Sequence, residues 1–169
     1  RCILLRQGAI EAIGETEAVV RRYLDGGHAE GSRDLGTRTD RGGNGLVRLT
    51  GFKVRREGAA GDLDELSLHD NAMFELNVHA GSSTEISVRV RIRDEFGKTI
   101  SYLSMLPQGL ALRVDQGAGR FHLKIPKISL IEGVYYIDVL IFDLYSITLL
   151  DDLENVCRFS ILPRDVHDR

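Results

Sequence analysis

A chain of 169 residues with 43% hydrophobic side chains has material for one core and a loose arm, and its net charge of −3 provides no basic excess to neutralise phosphates. Nucleic acid is therefore not an expected partner. The two cysteines, Cys2 and Cys157, fall short of a disulfide framework and fit a reducing compartment, and no run approaches the roughly 18 apolar residues of a membrane-spanning helix.

The chain opens on RCILL, which reads as the middle of a strand, so excision from a longer polypeptide is the expectation. No charged-then-apolar signal peptide opens the sequence as given. Cys2 to Leu5 and Ala9 to Ile13 are short apolar strands around a Gln7-Gly8 turn, and Gly14 closes the pair. Thr16 is then placed to cap a helix from Glu17 to Leu24, with Val19, Val20, Tyr23 and Leu24 at spacings of 3 and 4. Residues 25–45 contain seven glycines and a single leucine, too little apolar surface to offset chain entropy, and are expected to form a flexible linker.

From Leu46 onward short alternating runs are separated by turn residues. The spacing predicts strands at Leu46 to Arg56, Ala72 to His79, Glu85 to Asp94, Thr99 to Leu106, Leu110 to Val114, Arg120 to Ile125, Val134 to Phe142 and Asn155 to Leu162. No helical period interrupts them, which predicts an all-β, antiparallel sandwich of immunoglobulin-like or jelly-roll type over residues 46–169. In EISVRVRIRD, Ile86, Val88, Val90 and Ile92 share one face, expected to be core, while Glu85, Ser87, Arg89, Arg91 and Arg93 share the other. In VYYIDVLIF, Asp138 marks the face of Val134, Tyr136, Leu140 and Phe142 as the less buried one, and an outward Phe142 would mark a contact surface.

The segment ILLRQGAIEAIGETEAVVRRYL resembles the last strand pair and helix of ABC-transporter ATP-binding subunits, with Gly8, Ile10, Gly14, Val20, Tyr23 and Leu24 at the positions of that family's pattern. An ATPase tail, a Gly-rich linker and an all-β domain in that order resemble the ATP-binding subunits of exporters for O-antigen and related cell-surface polysaccharides. The β region is similar to that family's C-terminal domain through Ile92-x-Asp94-x-x-Gly97 with Thr99-Ile100, through Leu130-x-x-Gly133-x-Tyr135-x-Ile137-x-Val139, and through Phe159-x-Ile161. The resemblance implies residues 1–24 as the remnant of an ATPase domain and residues 46–169 as a carbohydrate-binding domain that recognises finished glycan in the cytoplasm. It implies a polysaccharide ligand, a membrane subunit as partner through the parent ATPase, a homodimer, and a position at the inner face of the bacterial inner membrane held through the transporter. The phosphate-binding loop ending in Gly-Lys-Ser/Thr is not in this sequence, so ATP and magnesium belong to the parent and no cofactor is expected here.

No nucleophile elbow or acid–base carboxylate pair stands out, and no catalytic residue is assigned. His79 and His122 fall on outward strand positions where they would meet across a sheet as zinc ligands, but no ligand spacing supports them, and a metal is not expected. The clusters Asp62-Leu63-Asp64-Glu65 and Asp151-Asp152-Leu153-Glu154 read as solvated loops, with calcium as the alternative. The arginine ladder is the sharpest functional candidate. Arg89, Arg91 and Arg93 stand about 7 Å apart along one strand and would donate to hydroxyls or acidic sugars, with Tyr136, Asp138 and Asn77 on neighbouring strands completing a groove. Tyr102, Tyr136 and Phe142 would supply rings for the apolar faces of sugars. The alternative is a solvated face neutralised by Glu75 and Asp138.

Overall fold

Period-two alternation of branched apolar and polar residues sets the architecture. The computed structural model describes residues 1–6, 9–16, 18, 19, 34–59 and 65–163, and the chain divides into two units, Arg1–Gly31 and Ser32–Arg169. In the first unit β1 (Cys2–Arg6) and β2 (Ala9–Gly14) form an antiparallel hairpin with a register shift at Leu4/Leu5. A helical turn follows, with the Val19 N–H donating to the Glu15 carbonyl at 3.0 Å. The rest of the helix expected to run to Leu24, and the Gln7-Gly8 turn, lie outside the described residues.

The second unit is a sandwich of two sheets. Its strands are β3 (Val47–Arg56), β4 (Glu65–Ser67), β5 (Ala72–Ala80), β6 (Thr84–Asp94), β7 (Thr99–Ser104), β8 (Leu112–Val114), β9 (Gly117–Ile125), β10 (Gly133–Asp143) and β11 (Leu149–Leu162). One sheet has six strands in the order β4-β11-β10-β6-β7, with β8 sharing the β7 edge of β6; the other is β3-β5-β9. Every pairing is antiparallel except β4 on β11. The core lies between the sheets. Ile86, Val88, Val90 and Ile92 of β6 meet Phe74, Leu76 and Val78 of β5 in one buried cluster, as the alternation predicts.

The motif residues of the β region are structural. Asp94 Oδ1 accepts from the Phe96 and Lys98 N–H groups at 3.0 and 2.8 Å, and Gly97 takes a φ of 79° that favours glycine. Tyr135 donates its hydroxyl to the Ile131 carbonyl at 2.8 Å and stacks on Phe159, its register partner, with ring centroids 5.5 Å apart.

Three expectations need correction. Most of the stretch read as linker is not loose where it is described: Leu35, its one leucine, is 1% exposed in the core, and Gly42 pairs with Asp152 through N–H···O bonds of 3.0 and 3.1 Å. Asn44 and Gly45 donate to the Leu149 and Leu150 carbonyls at 3.2 and 2.8 Å, so residues 42–45 line the edge of β11. Backbone pairing leaves no side-chain signature, and Gly43, where a Cβ would lie 2.5 Å from Leu150 backbone, is there for close approach rather than freedom. Second, Asp151 to Glu154 lie within β11, which begins at Leu149, and not in a solvated loop. Third, β4 was not anticipated; in the other acidic cluster Glu65 opens it, and Asp62 and Asp64 are outside the described residues.

Candidate functional site

The outer face of the six-stranded sheet is built from three rows of side chains set by register. Arg89 lies between Ser104 of β7 and Leu140 of β10, Arg91 between Tyr102 and Asp138, and Arg93 between Thr99 and Tyr136, with Arg158 of β11 next to Tyr136. Cross-strand neighbours of this kind stand about 5 Å apart, so Tyr102, Arg91 and Asp138 form one contiguous strip.

Asp138 is the hub. It is fully buried, and its Oδ2 accepts from Arg91 Nε at 2.6 Å and Arg93 Nε at 2.7 Å. Its Oδ1 accepts from Arg93 Nη2 at 2.8 Å and from the Asn155 N–H at 2.7 Å. Arg91 Nη2 reaches on to Glu154 Oε1 at 2.9 Å, and Arg93 Nη2 to Asn155 Oδ1 at 2.6 Å. The geometry depends on a bulge: Ile137 pairs with Cys157 but Val139 with Leu153, leaving Glu154 to Val156 opposite Asp138 alone, and Asn155 takes a φ of 53° that asparagine tolerates. Burial pushes the Asp138 carboxyl up, but the bonds from Arg93, the Asn155 N–H and Arg91 outweigh it and hold the group below the usual carboxylate range. Burial works against the Arg91 charge too and is overcome by the same carboxylate, so its pKa is raised.

The sequence-predicted site is therefore partly assembled. Arg91, Arg93 and Asp138 come together; Arg89 instead lies over the Phe142 ring, 5.3 Å from its centroid. Asp138 does lie on the less buried, outer face with Val134, Leu140 and Phe142, but is itself buried as the counter-ion of the ladder. Tyr136 is 5% exposed and cannot present its ring without rearrangement. Asn77 belongs to the other sheet, where it accepts from Arg120 Nε at 3.1 Å, and Glu75 lies there as well. Tyr102, 56% exposed, is the accessible ring beside the ladder. Glu154, Asn155 and Arg158 were missed; the signal available was a polar Asn155 where the alternation of Leu153, Cys157, Phe159 and Ile161 asks for an apolar side chain.

A second charged cluster, not anticipated, ties residues 34–45 to the sandwich. Asp151, 1% exposed, accepts from the Leu49 N–H at 2.8 Å and from Arg41 Nη1 at 3.4 Å, while Arg41 Nη2 donates to the Leu35 carbonyl. Burial pushes the Asp151 carboxyl up and the Arg41 guanidinium down, so the pair is electrostatically costly. Among the described residues no three His, Cys, Asp or Glu side chains are grouped to hold a metal. His79 pairs in register with Ala118 and His122 with Glu75, so the two histidines do not face each other.

No family profile matches the chain, and no curated protein matches it by sequence. Among solved structures, the C-terminal domain of Wzt superposes with a TM-score of 0.63 at 16% identity, covering 76% of this chain and 81% of that one. At that identity the likeness is one of fold, and it agrees with the family resemblance read from the sequence. A β-D-mannosidase from Dictyoglomus thermophilum (18% identity, TM-score 0.47, 69% of this chain and 13% of that one) overlaps only weakly. So does the CARDB domain of PF1109 from Pyrococcus furiosus (17%, 0.39, 70% and 94%).

Proposed function

We propose that the β unit is a non-catalytic glycan-recognition module of an ABC exporter for cell-surface polysaccharide, reading a repeating glycan in the cytoplasm before transport. The observation that carries the reading is the fold shared with the C-terminal domain of Wzt over most of both chains; the sequence resemblance of the N-terminal segment to the end of ABC ATPase domains supports it. The binding surface is the strip of Tyr102, Arg91 and Glu154 on the six-stranded sheet, with Arg158 and the Arg89–Phe142 pair beside it. Tyr102 offers a ring to the apolar face of a sugar, and the arginine and carboxylate groups offer donors and acceptors to its hydroxyls. Because Asp138 fixes the guanidinium planes in advance, little side-chain entropy is lost when a ligand docks.

One open, tryptophan-free face supports a modest single-site affinity, which repeating ligand units and a homodimeric parent would multiply through effective concentration. The reading brings with it ATP and magnesium in the parent polypeptide and a membrane subunit as partner. Its test is retention of the chain on immobilised surface polysaccharide from its own source. Retention that Tyr102→Ala weakens supports it; no retention, or retention indifferent to Tyr102→Ala and Arg158→Ala, counts against the module or the face.

One observation favours a second reading, a structural or dimerisation module that touches no sugar. The Arg91, Arg93 and Asp138 side chains satisfy one another, as a network evolved for rigidity would. A dimer formed without glycan in analytical ultracentrifugation, with no thermal shift on adding polysaccharide, would support this reading over the first.

A further inference from the structure

The two sheets of the β unit turn opposite faces outward, and their electrostatics differ. On the six-stranded sheet the arginines are matched by Asp138, Glu154 and Asp152. On the three-stranded sheet the outward positions hold Arg48, Lys53 and Arg55 of β3 and Arg120 and Lys124 of β9, while Glu75 of β5 is the one carboxylate among them. Glu75 is 7% exposed and serves Arg55, Arg120 and His122 together, at 3.8, 3.8 and 3.5 Å. Glu57, in the turn after β3, holds Lys124 at 2.8 Å on the rim. Five cations thus share one face of a chain whose overall charge is −3.

We propose that this face docks on an anionic bilayer surface. Three strands of nine or ten residues make a face about 30 Å long with rows about 5 Å apart, an extent that suits an array of phosphates rather than a single ligand. Its outward positions contain no phenylalanine, tyrosine, tryptophan or branched apolar residue; Met73 and Ala118 are the apolar ones. A glycan would find no phenol or indole ring to stack on, only the imidazoles of His79 and His122, and a protein partner no apolar anchor of the kind that centres tight interfaces. Positive charge spread over a broad face is what adhesion to anionic headgroups requires, at a contribution per cation that accumulates across the patch. The inference is independent of the glycan reading and uses the opposite side of the sandwich.

The experiment is co-sedimentation of the chain with vesicles of phosphatidylcholine alone and with added phosphatidylglycerol. Partitioning into the anionic vesicles only, weakening as salt is raised, is the expected result. Arg120→Gln with Lys124→Gln should lower the partition coefficient about 30-fold. The same charge change off the face, Lys98→Gln with Arg113→Gln, should lower it only a few-fold, and circular dichroism should show both variants folded. Equal binding to neutral vesicles, equal loss in both double variants, or retention on heparin with no vesicle binding would overturn the proposal.

Discussion

Replacing Asp138 with asparagine removes one negative charge and almost no volume. The carboxylate accepts four hydrogen bonds of 2.6 to 2.8 Å, three of them from guanidinium groups, at a site with no solvent exposure. An amide can accept at one end only, and its NH2 would face arginine donors at the other. Arg91 and Arg93, with side chains 25% and 18% exposed, would then share Glu154, itself 65% exposed, as nearest counter-charge. Breaking a fully buried ion pair costs about 3–5 kcal/mol, and the partial exposure of the arginines lets water take part of the load, so a loss of about 3 kcal/mol is expected at neutral pH. Urea unfolding, monitored by circular dichroism, measures it directly.

The pH dependence is a second signature of the same substitution. The folded carboxyl is held below its ordinary value of 3.8, so its stabilisation is complete above the unfolded value and is lost as pH falls through the folded one. Wild type and Asp138→Asn should therefore differ by a constant amount above about pH 5 and converge below about pH 4. Groups shifted the other way, such as Asp151, cancel because they are common to both proteins. A difference under about 1 kcal/mol at neutral pH, or one that does not narrow in acid, would refute the hub role of Asp138.

Leu35→Ala should destabilise the chain by about 2–4 kcal/mol, whereas a residue in a loose linker would cost nothing; a melting temperature unchanged within error would return residues 34–45 to the linker. Arg41→Met strands the buried Asp151 carboxylate and should cost about 3 kcal/mol or more, and adding Asp151→Asn should recover most of it, since an amide oxygen still accepts from Leu49; additive losses in the denaturation cycle would contradict this. Ile147 is a β-branched residue at φ 54° in the exposed turn between β10 and β11. Ile147→Asn should raise stability by about 1 kcal/mol, and a lower melting temperature would show that the backbone there carries no strain.

What the sequence made legible follows from where information resides. Ile86 to Ile92 announced a strand and its buried face because one alternating run encodes both, whereas the Tyr135–Phe159 contact joins two separate motif fragments and appears only once their strands are in register. The outward face of Asp138 was legible but its own burial was not, because an isolated carboxylate in an apolar strand looks like a solvent marker until the arginines two strand positions apart on its neighbour are brought into register. Asn77 was placed beside Arg91 for a related reason: alternation gives a residue's face but not its sheet, and β5 pairs with β3 and β9 rather than β6. The anchoring of Gly42 to Gly45 was invisible because main-chain hydrogen bonds have no composition. The basic outer face of the three-stranded sheet was hidden in the net charge, which averages over both sides of the sandwich.

Glycan recognition requires that the outer face of the six-stranded sheet meet sugar. Backbone amide chemical shifts followed by NMR, as purified surface polysaccharide from the same source is titrated into the chain, give the most direct answer. Saturable shifts concentrated at Arg91, Tyr102 and Arg158, with β5 and β9 unperturbed, are the expected result; a spectrum unmoved at saturating polysaccharide, or shifts confined to the three-stranded sheet, would contradict it.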